Sequence, residues 1–403
     1  MSSKQKRSMI GWIFLCCWMT YLTAYLCRVN FSSAMHTISF EKGFSEDMLG
    51  VVGAVFYGVY ACGQLVNGYI GDRVPANRFI LLALVGTMLC NLGMAFVNAF
   101  PLMLVLWGVN GIFQSMFWST IIRVLAQNIP AQQRATISAG ISLAMPVAYM
   151  VSWGVLGQCL DGAAVRWYFL IPMLVCLPLI GAWLLLSGKL SFEVPRTREG
   201  KAGIRQTARF LVEEKLHWLV LVCMFHGLIK EGAAYWTPLL ISGMGFERVS
   251  PYLLASILPM ANLIGILVSR SLLKHSGKNP YQILLLLFGS IMLVCVGLML
   301  QNANLLIVGL MALISGLCYA NNTILLSFLP MQYTEKNMVA SIIGVFDFAS
   351  YVGAAISTYV LGKVLSRFGF APLPGIWLGA AAAALVIALA VLSKQRTSGQ
   401  VNA

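Results

Sequence analysis

Charge is scarce in this sequence and negative charge scarcest: 403 residues hold 13 Asp and Glu against 27 Lys and Arg, 10% charged in all. Soluble domains carry roughly 25% charged residues, so a water-soluble globular fold is excluded. Histidine is sparser still, at 4 residues, and nothing falls at metal-ligand spacing, so no metal or other cofactor is expected. No Walker loop or Ser-His-Asp order is present either, which leaves an ATPase or a membrane hydrolase without support and argues against an enzyme. The ten cysteines lie scattered within apolar stretches and read as small packing residues.

What the chain does have is apolar sequence, 59% of it hydrophobic. A bilayer core of about 30 Å needs about 20 mostly apolar residues per helix, and backbone groups in lipid require helices. Spans are expected near 9–36, 47–70, 78–98, 101–127, 135–160 and 166–187, then near 215–243, 250–273, 280–300, 304–328, 337–362 and 372–393. The first stretch has a basic flank but runs on through Arg28 without a small-residue cleavage site, so it reads as span 1 and not as a secretory peptide. The expected class is an all-α membrane protein with twelve transmembrane helices.

The one long polar interruption, Gly188 to Glu214, divides the chain into a six-helix bundle at 1–187, a basic cytoplasmic linker at 188–214 and a second six-helix bundle at 215–403. Within it, Arg205 to Lys215 reads as a plain basic linker or as an amphipathic helix on an anionic leaflet. The net charge of +14 does not require nucleic acid: alternate loops hold about 19 Lys and Arg on the side of both termini and about 5 on the other. Both termini are therefore expected in the cytoplasm.

Arg28, Arg123 and Lys230 fall inside spans, where a cation costs about 2.5–3.5 kcal/mol on insertion scales and normally faces a cavity or a partner. Arg28 and Lys230 occupy spans 1 and 7, about 200 residues apart at matching depth, as expected of two pseudo-symmetric halves. Together they could clamp a dianion, Arg as a planar fork and Lys as a point charge, with phosphate a better match than a monocarboxylate. The alternative is neutralisation by a protein carboxylate, Glu231 beside Lys230 or Asp347 in span 11. Arg123, nearer the cytoplasmic end of span 4, suits helix packing or gating. Tyr21 and Tyr25 precede Arg28 on one helical face, and Tyr60 and Gln64 form a similar i, i+4 pair. His226 stands one turn before Lys230. Asp347 could pair with Lys230, meet a cationic part of the substrate or carry a proton, and Asn321 and Asn322 could donate to sugar hydroxyls or hold their helix.

Between spans 2 and 3, Gly68-Tyr-Ile-Gly-Asp72-Arg73 resembles the G-x-x-x-D-R loop motif of the major facilitator superfamily, whose fold is two six-helix bundles. "YLCRVNFSSAM" from Tyr25 to Met35 is similar to span 1 of the organophosphate:phosphate antiporters, the glycerol-3-phosphate and hexose-6-phosphate transporters of that superfamily. Gly111-Ile-Phe-Gln114-Ser-Met116-Phe-Trp118 resembles their span 4, Trp236-Thr-Pro238 their span 7, and Tyr351-Val-Gly353 their span 11. The resemblance implies that Arg28 and Lys230 bind phosphate and that Tyr21, Tyr25, Tyr60, Gln114 and Tyr351 line the pocket. It differs at Lys230, where the best-known members have Arg, and at Val29, Gln64 and Met145, where cationic or titratable residues are replaced.

The resulting expectation is a monomeric secondary transporter in the bacterial inner membrane, exchanging a small anionic organic phosphate for inorganic phosphate by alternating access. An ion-coupled symporter of an organic anion, working through Asp347 or Glu231, is the alternative. A membrane sensor that binds a sugar phosphate without moving it is a third reading.

Overall fold

A computed structural model of the chain describes residues 3–71, 73–128, 140–141, 143–187, 204–246, 249–277, 279–333 and 338–397. In chain order the helices are α1 (Ser3–Lys42), α2 (Glu46–Gly71), α3 (Ala76–Phe96), α4 (Phe100–Gln114), α5 (Phe117–Asn128), α6 (Ala144–Tyr149), α7 (Arg166–Ser187) and α8 (Ile204–Glu213). There follow α9 (His217–Ser242), α10 (Pro251–Ala255), α11 (Ile257–His275), α12 (Pro280–Met299), α13 (Asn304–Thr323), α14 (Val339–Phe368) and α15 (Leu373–Thr397). Helix α6 runs on as a π-helix at Met150–Leu156, and α13 as a π-helix at Ile324–Phe328.

Ten helical stretches among the described residues are long and apolar enough to cross a membrane, or eleven if α8 and α9, bent by 100° at their junction, are counted as one span. Of the twelve expected spans, the fifth is described mainly from Leu143 to Cys159, its earlier part lying outside the described residues. The chain is a multi-pass helical membrane protein. The part of the interruption after Gly203 is helical: in α8, Thr207 and Leu211 are buried, while Arg209 pairs with Glu213 at 2.7 Å on the exposed face. Of the two readings of that stretch, the helix is what the chain adopts.

Residue contacts divide the chain into two units. The first comprises Met1–Phe44, Cys62–Thr197 and Glu247–Ser256, hence α1, the end of α2, α3 to α7 and α10. Its organising helix is α1, held by amides that would be costly to bury unpaired. Asn30 donates to Asn91 at 2.7 Å and to the Tyr168 carbonyl at 3.1 Å, Asn91 and Asn110 both donate to the Cys27 carbonyl, and Trp183 donates to Thr20. Ser33 and Ser152 share a hydrogen bond of 2.9 Å beside Trp153, whose indole N–H donates to Ser32. These contacts bracket position 28 and set the rotation of α1.

The second unit comprises Ser45–Ala61, Arg198–Phe246 and Ile257–Ala403, hence the start of α2, α8, α9 and α11 to α15. Here α9 is central and packs backbone against backbone. A Cβ on Gly227 would lie 1.9 Å from the Ser350 carbonyl of α14, and one on Gly353 would lie 1.9 Å from the Met224 carbonyl of α9. Small residues at such crossings let transmembrane helices approach closely. The start of α2 joins in the same way, a Cβ on Gly50 falling 2.6 Å from the Thr358 carbonyl while the Tyr235 hydroxyl donates to the Leu49 carbonyl at 2.8 Å.

Candidate functional site

In the first unit α1 carries Tyr21, Tyr25 and Arg28 toward one another. Arg28 is 6% exposed, its guanidinium carbon 5.2 Å from the Tyr25 ring centre, a cation–π approach that offsets part of the cost of burial. Tyr25 meets Tyr21 edge-on at 5.1 Å, and Tyr21 lies 5.0 Å from Trp118 of α5. Tyr149 of α6 stands 6.1 Å from Tyr25. Trp118 appears in the span 4 segment but not among the expected site residues, and Tyr149 carried no sequence signal of its own. Gln114 ends α4 at a break of two residues before α5; it is buried, and its amide nitrogen has no hydrogen-bond partner among the described residues.

The loop-motif residues separate. Gly68 lies within α2, Asp72 falls outside the described residues, and Arg73 is exposed in the turn after α2. Arg123 is half-buried on α5 and donates from Nη2 to the Val74 carbonyl at 2.8 Å, which ties α5 to that same turn. Gln64 is half-buried in the part of α2 that belongs to the first unit.

The second unit gathers a denser cluster around Lys230, which is buried on α9. Its ammonium lies 3.0 Å from Oε1 of Glu231, donates to Oδ1 of Asn322 at 3.2 Å and stands 5.6 Å from the Tyr319 ring centre. Oε2 of Glu231 accepts from the Tyr57 hydroxyl at 3.2 Å. The carboxylate alternative raised for Lys230 is thus realised by Glu231. Burial explains it, since an ammonium taken out of water needs a counter-charge and further hydrogen bonds. Asn322 comes from α13 just before the π-helix at Ile324–Phe328, a local widening often found at functional positions.

Tyr60 and Tyr351 meet at 4.5 Å, and Tyr57 lies 6.0 Å from both Tyr351 and Tyr235. Tyr57 is absent from the expected site, although its spacing of three from Tyr60 and seven from Gln64 puts it on the face already singled out. Asp347 is half-buried on α14, within electrostatic reach of Cys223 as Lys230 is. His226 is 1% exposed, sits edge-on to Phe288 of α12 at 6.4 Å and has the Asn322 side chain beside its ring.

The sequence profile of the Major Facilitator Superfamily matches residues 17–358. The chain belongs to the Major Facilitator Superfamily. It is accordingly a membrane transport protein and not an enzyme. Among individual relatives it is 23% identical to the "Probable hexose phosphate transport protein" of Chlamydia trachomatis, over 96% of this chain and 91% of that one. It is 22% identical to the "Membrane sensor protein UhpC" of Salmonella typhimurium, over 88% of this chain and 85% of the other. In fold it is similar to the nucleoside transporter NupG, with a TM-score of 0.73, 14% identity and coverage of 94% of this chain and 98% of that one.

Proposed function

We propose that this major facilitator member moves a phosphorylated organic anion, of the sugar phosphate or glycerol phosphate class, across the bilayer in exchange for inorganic phosphate. The observation that carries the reading is that each unit buries a span cation against a tyrosine ring, Arg28 beside Tyr25, which meets Tyr21, and Lys230 beside Tyr319, with Tyr57 on its partner Glu231. A cation at such depth costs about 2.5–3.5 kcal/mol on insertion scales, a cost sequences keep mainly where the residue binds or moves something. Charge-assisted hydrogen bonds from guanidinium and ammonium suit phosphoryl oxygens, and tyrosine hydroxyls can add neutral donors. The hexose phosphate named for a relative agrees with that chemistry. In this reading both termini lie in the cytoplasm, the chain works as a monomer in a bacterial inner membrane, and the bound anion is exposed alternately to either side.

The Lys230–Glu231 contact also favours a second reading, ion-coupled symport of an organic anion, because a carboxylate on the binding cation offers a place for a proton. The relative named as a sensor keeps binding without flux as a third outcome.

Exchange in reconstituted liposomes decides among them. Vesicles preloaded with phosphate should take up labelled phosphate, external sugar or glycerol phosphates should compete, and Arg28→Ala or Lys230→Ala should cut the rate at least about a hundredfold, as loss of one partner in a desolvated charge pair does. Absence of exchange in the wild type overturns the antiport reading; absence of flux alongside measurable binding selects the sensor.

A further inference from the structure

We infer that Glu231 is a displaceable counter-ion: the incoming anion takes Lys230 from it, and Glu231 then takes up one proton from water. The inference rests on the proposed role of Lys230 as an anion ligand. Glu231 follows Lys230 directly in α9, and neighbouring helical residues do not face each other, yet Nζ and Oε1 meet at 3.0 Å. The pair therefore neutralises charge locally, and parting it leaves the helix crossings intact.

Both side chains are buried. One ammonium in such a setting balances one negative charge, and a bound phosphate would bring one or two more beside the carboxylate. Like charges that close in low dielectric cannot both persist, so the stronger base takes up a proton; a dianion regains its own first, and beside the phosphate monoanion the stronger base is the Glu231 carboxylate. Tyr57 suits either state, since its hydroxyl donates to the carboxylate as found at 3.2 Å and can accept from the neutral acid.

Other groups facing this point are His226 of α9 and Cys318 and Tyr319 of α13; Cys223 of α9 lies within reach of both Lys230 and Asp347 of α14, and Tyr235 and Tyr351 stand against Tyr57. Helix α15, also packed on α9, carries no titratable residue from Leu373 to Ser393. Of these Asp347 is the rival for the proton, and His226 is further enclosed. The consequence for transport is that each anion, phosphate or organic phosphate, crosses with a proton. Exchange of one for the other then carries no net proton, whereas uptake without a counter-substrate would.

The test is calorimetric titration of the detergent-solubilised protein with inorganic phosphate, in buffers of different ionisation enthalpy and across a pH series. Wild type should take up close to one proton more per phosphate than Glu231→Gln does. Its affinity should fall about tenfold per pH unit as pH rises through the window in which binding protonates the carboxylate. Glu231→Gln should bind at least as tightly and lose that slope, and Tyr57→Phe should bind with the proton uptake moved to higher pH. Proton uptake equal in wild type and Glu231→Gln, or abolished only by Asp347→Asn, overturns the assignment while the anion reading stands. Phosphate binding that Lys230→Ala leaves unchanged, or no binding by wild type, overturns the anion reading and the assignment with it.

Discussion

A lysine beside a glutamate reads as two cancelling charges, and at Lys230 the structure shows what the cancellation involves. The ammonium has Glu231, Asn322 and the Tyr319 ring around it, and the carboxylate has Tyr57. Removing one member of a buried pair strands the other, typically at about 3–5 kcal/mol, whereas replacing both by apolar side chains is often neutral or better. Lys230→Met should therefore lower the melting temperature in detergent sharply, and Lys230→Met with Glu231→Met should restore most of it. A single variant melting with the wild type would mean that the pair is solvated and worth little. Position 28 differs, because its neighbours on α1 are fixed by Asn30, Asn91 and Asn110 independently of the arginine. Arg28→Ala should accordingly harm transport far more than folding.

At the scale of helices, the second unit depends on backbone contact. Gly227 and Gly353 each leave no room for a methyl group, the obstacle being a carbonyl of the facing helix. Overpacking typically costs about 1–3 kcal/mol, and here rigid backbone must shift. Gly353→Ala and Gly227→Ala should each reduce folded protein recovered from membranes, while Gly379→Ala on α15, with no neighbour within 4 Å of its added Cβ, should not. Equal recovery of all three would contradict the packing described. Much of this level was legible in the sequence, since apolar runs and Gly, Pro and charge punctuation locate the helices, and Tyr351-Val-Gly353 was singled out. Which glycines touch backbone was not, because the sequence does not say which face of α9 meets α14. The partner of Lys230 was legible only as an alternative, adjacency in sequence being a poor guide to contact on a helix. Tyr57 could have been found from its spacing.

For the whole molecule, the division after the sixth span is visible as the polar stretch from Gly188 to Glu214. Composition does not show that Ser45–Ala61 belongs with the second unit and Glu247–Ser256 with the first. That assignment comes from close approaches such as Gly50 to Thr358 and Gly154 to Ser256, which leave no mark on hydropathy. It matters for function because Tyr57 and Tyr60 thereby join Lys230, Glu231 and Tyr351, so that the second unit holds tyrosines from span 2. The pairing of Lys230 also bears on the energetics of the proposed exchange. A buried cation left bare would oppose return of the empty carrier, but Lys230 is balanced by Glu231, so in an exchanger Arg28 would have to enforce coupling. The measurement that tests this most directly is uptake of labelled hexose 6-phosphate into liposomes with and without internal phosphate, with no ion gradient imposed. Exchange predicts rapid uptake only into phosphate-loaded vesicles, and net uptake at the same rate into vesicles without a counter-substrate would contradict it.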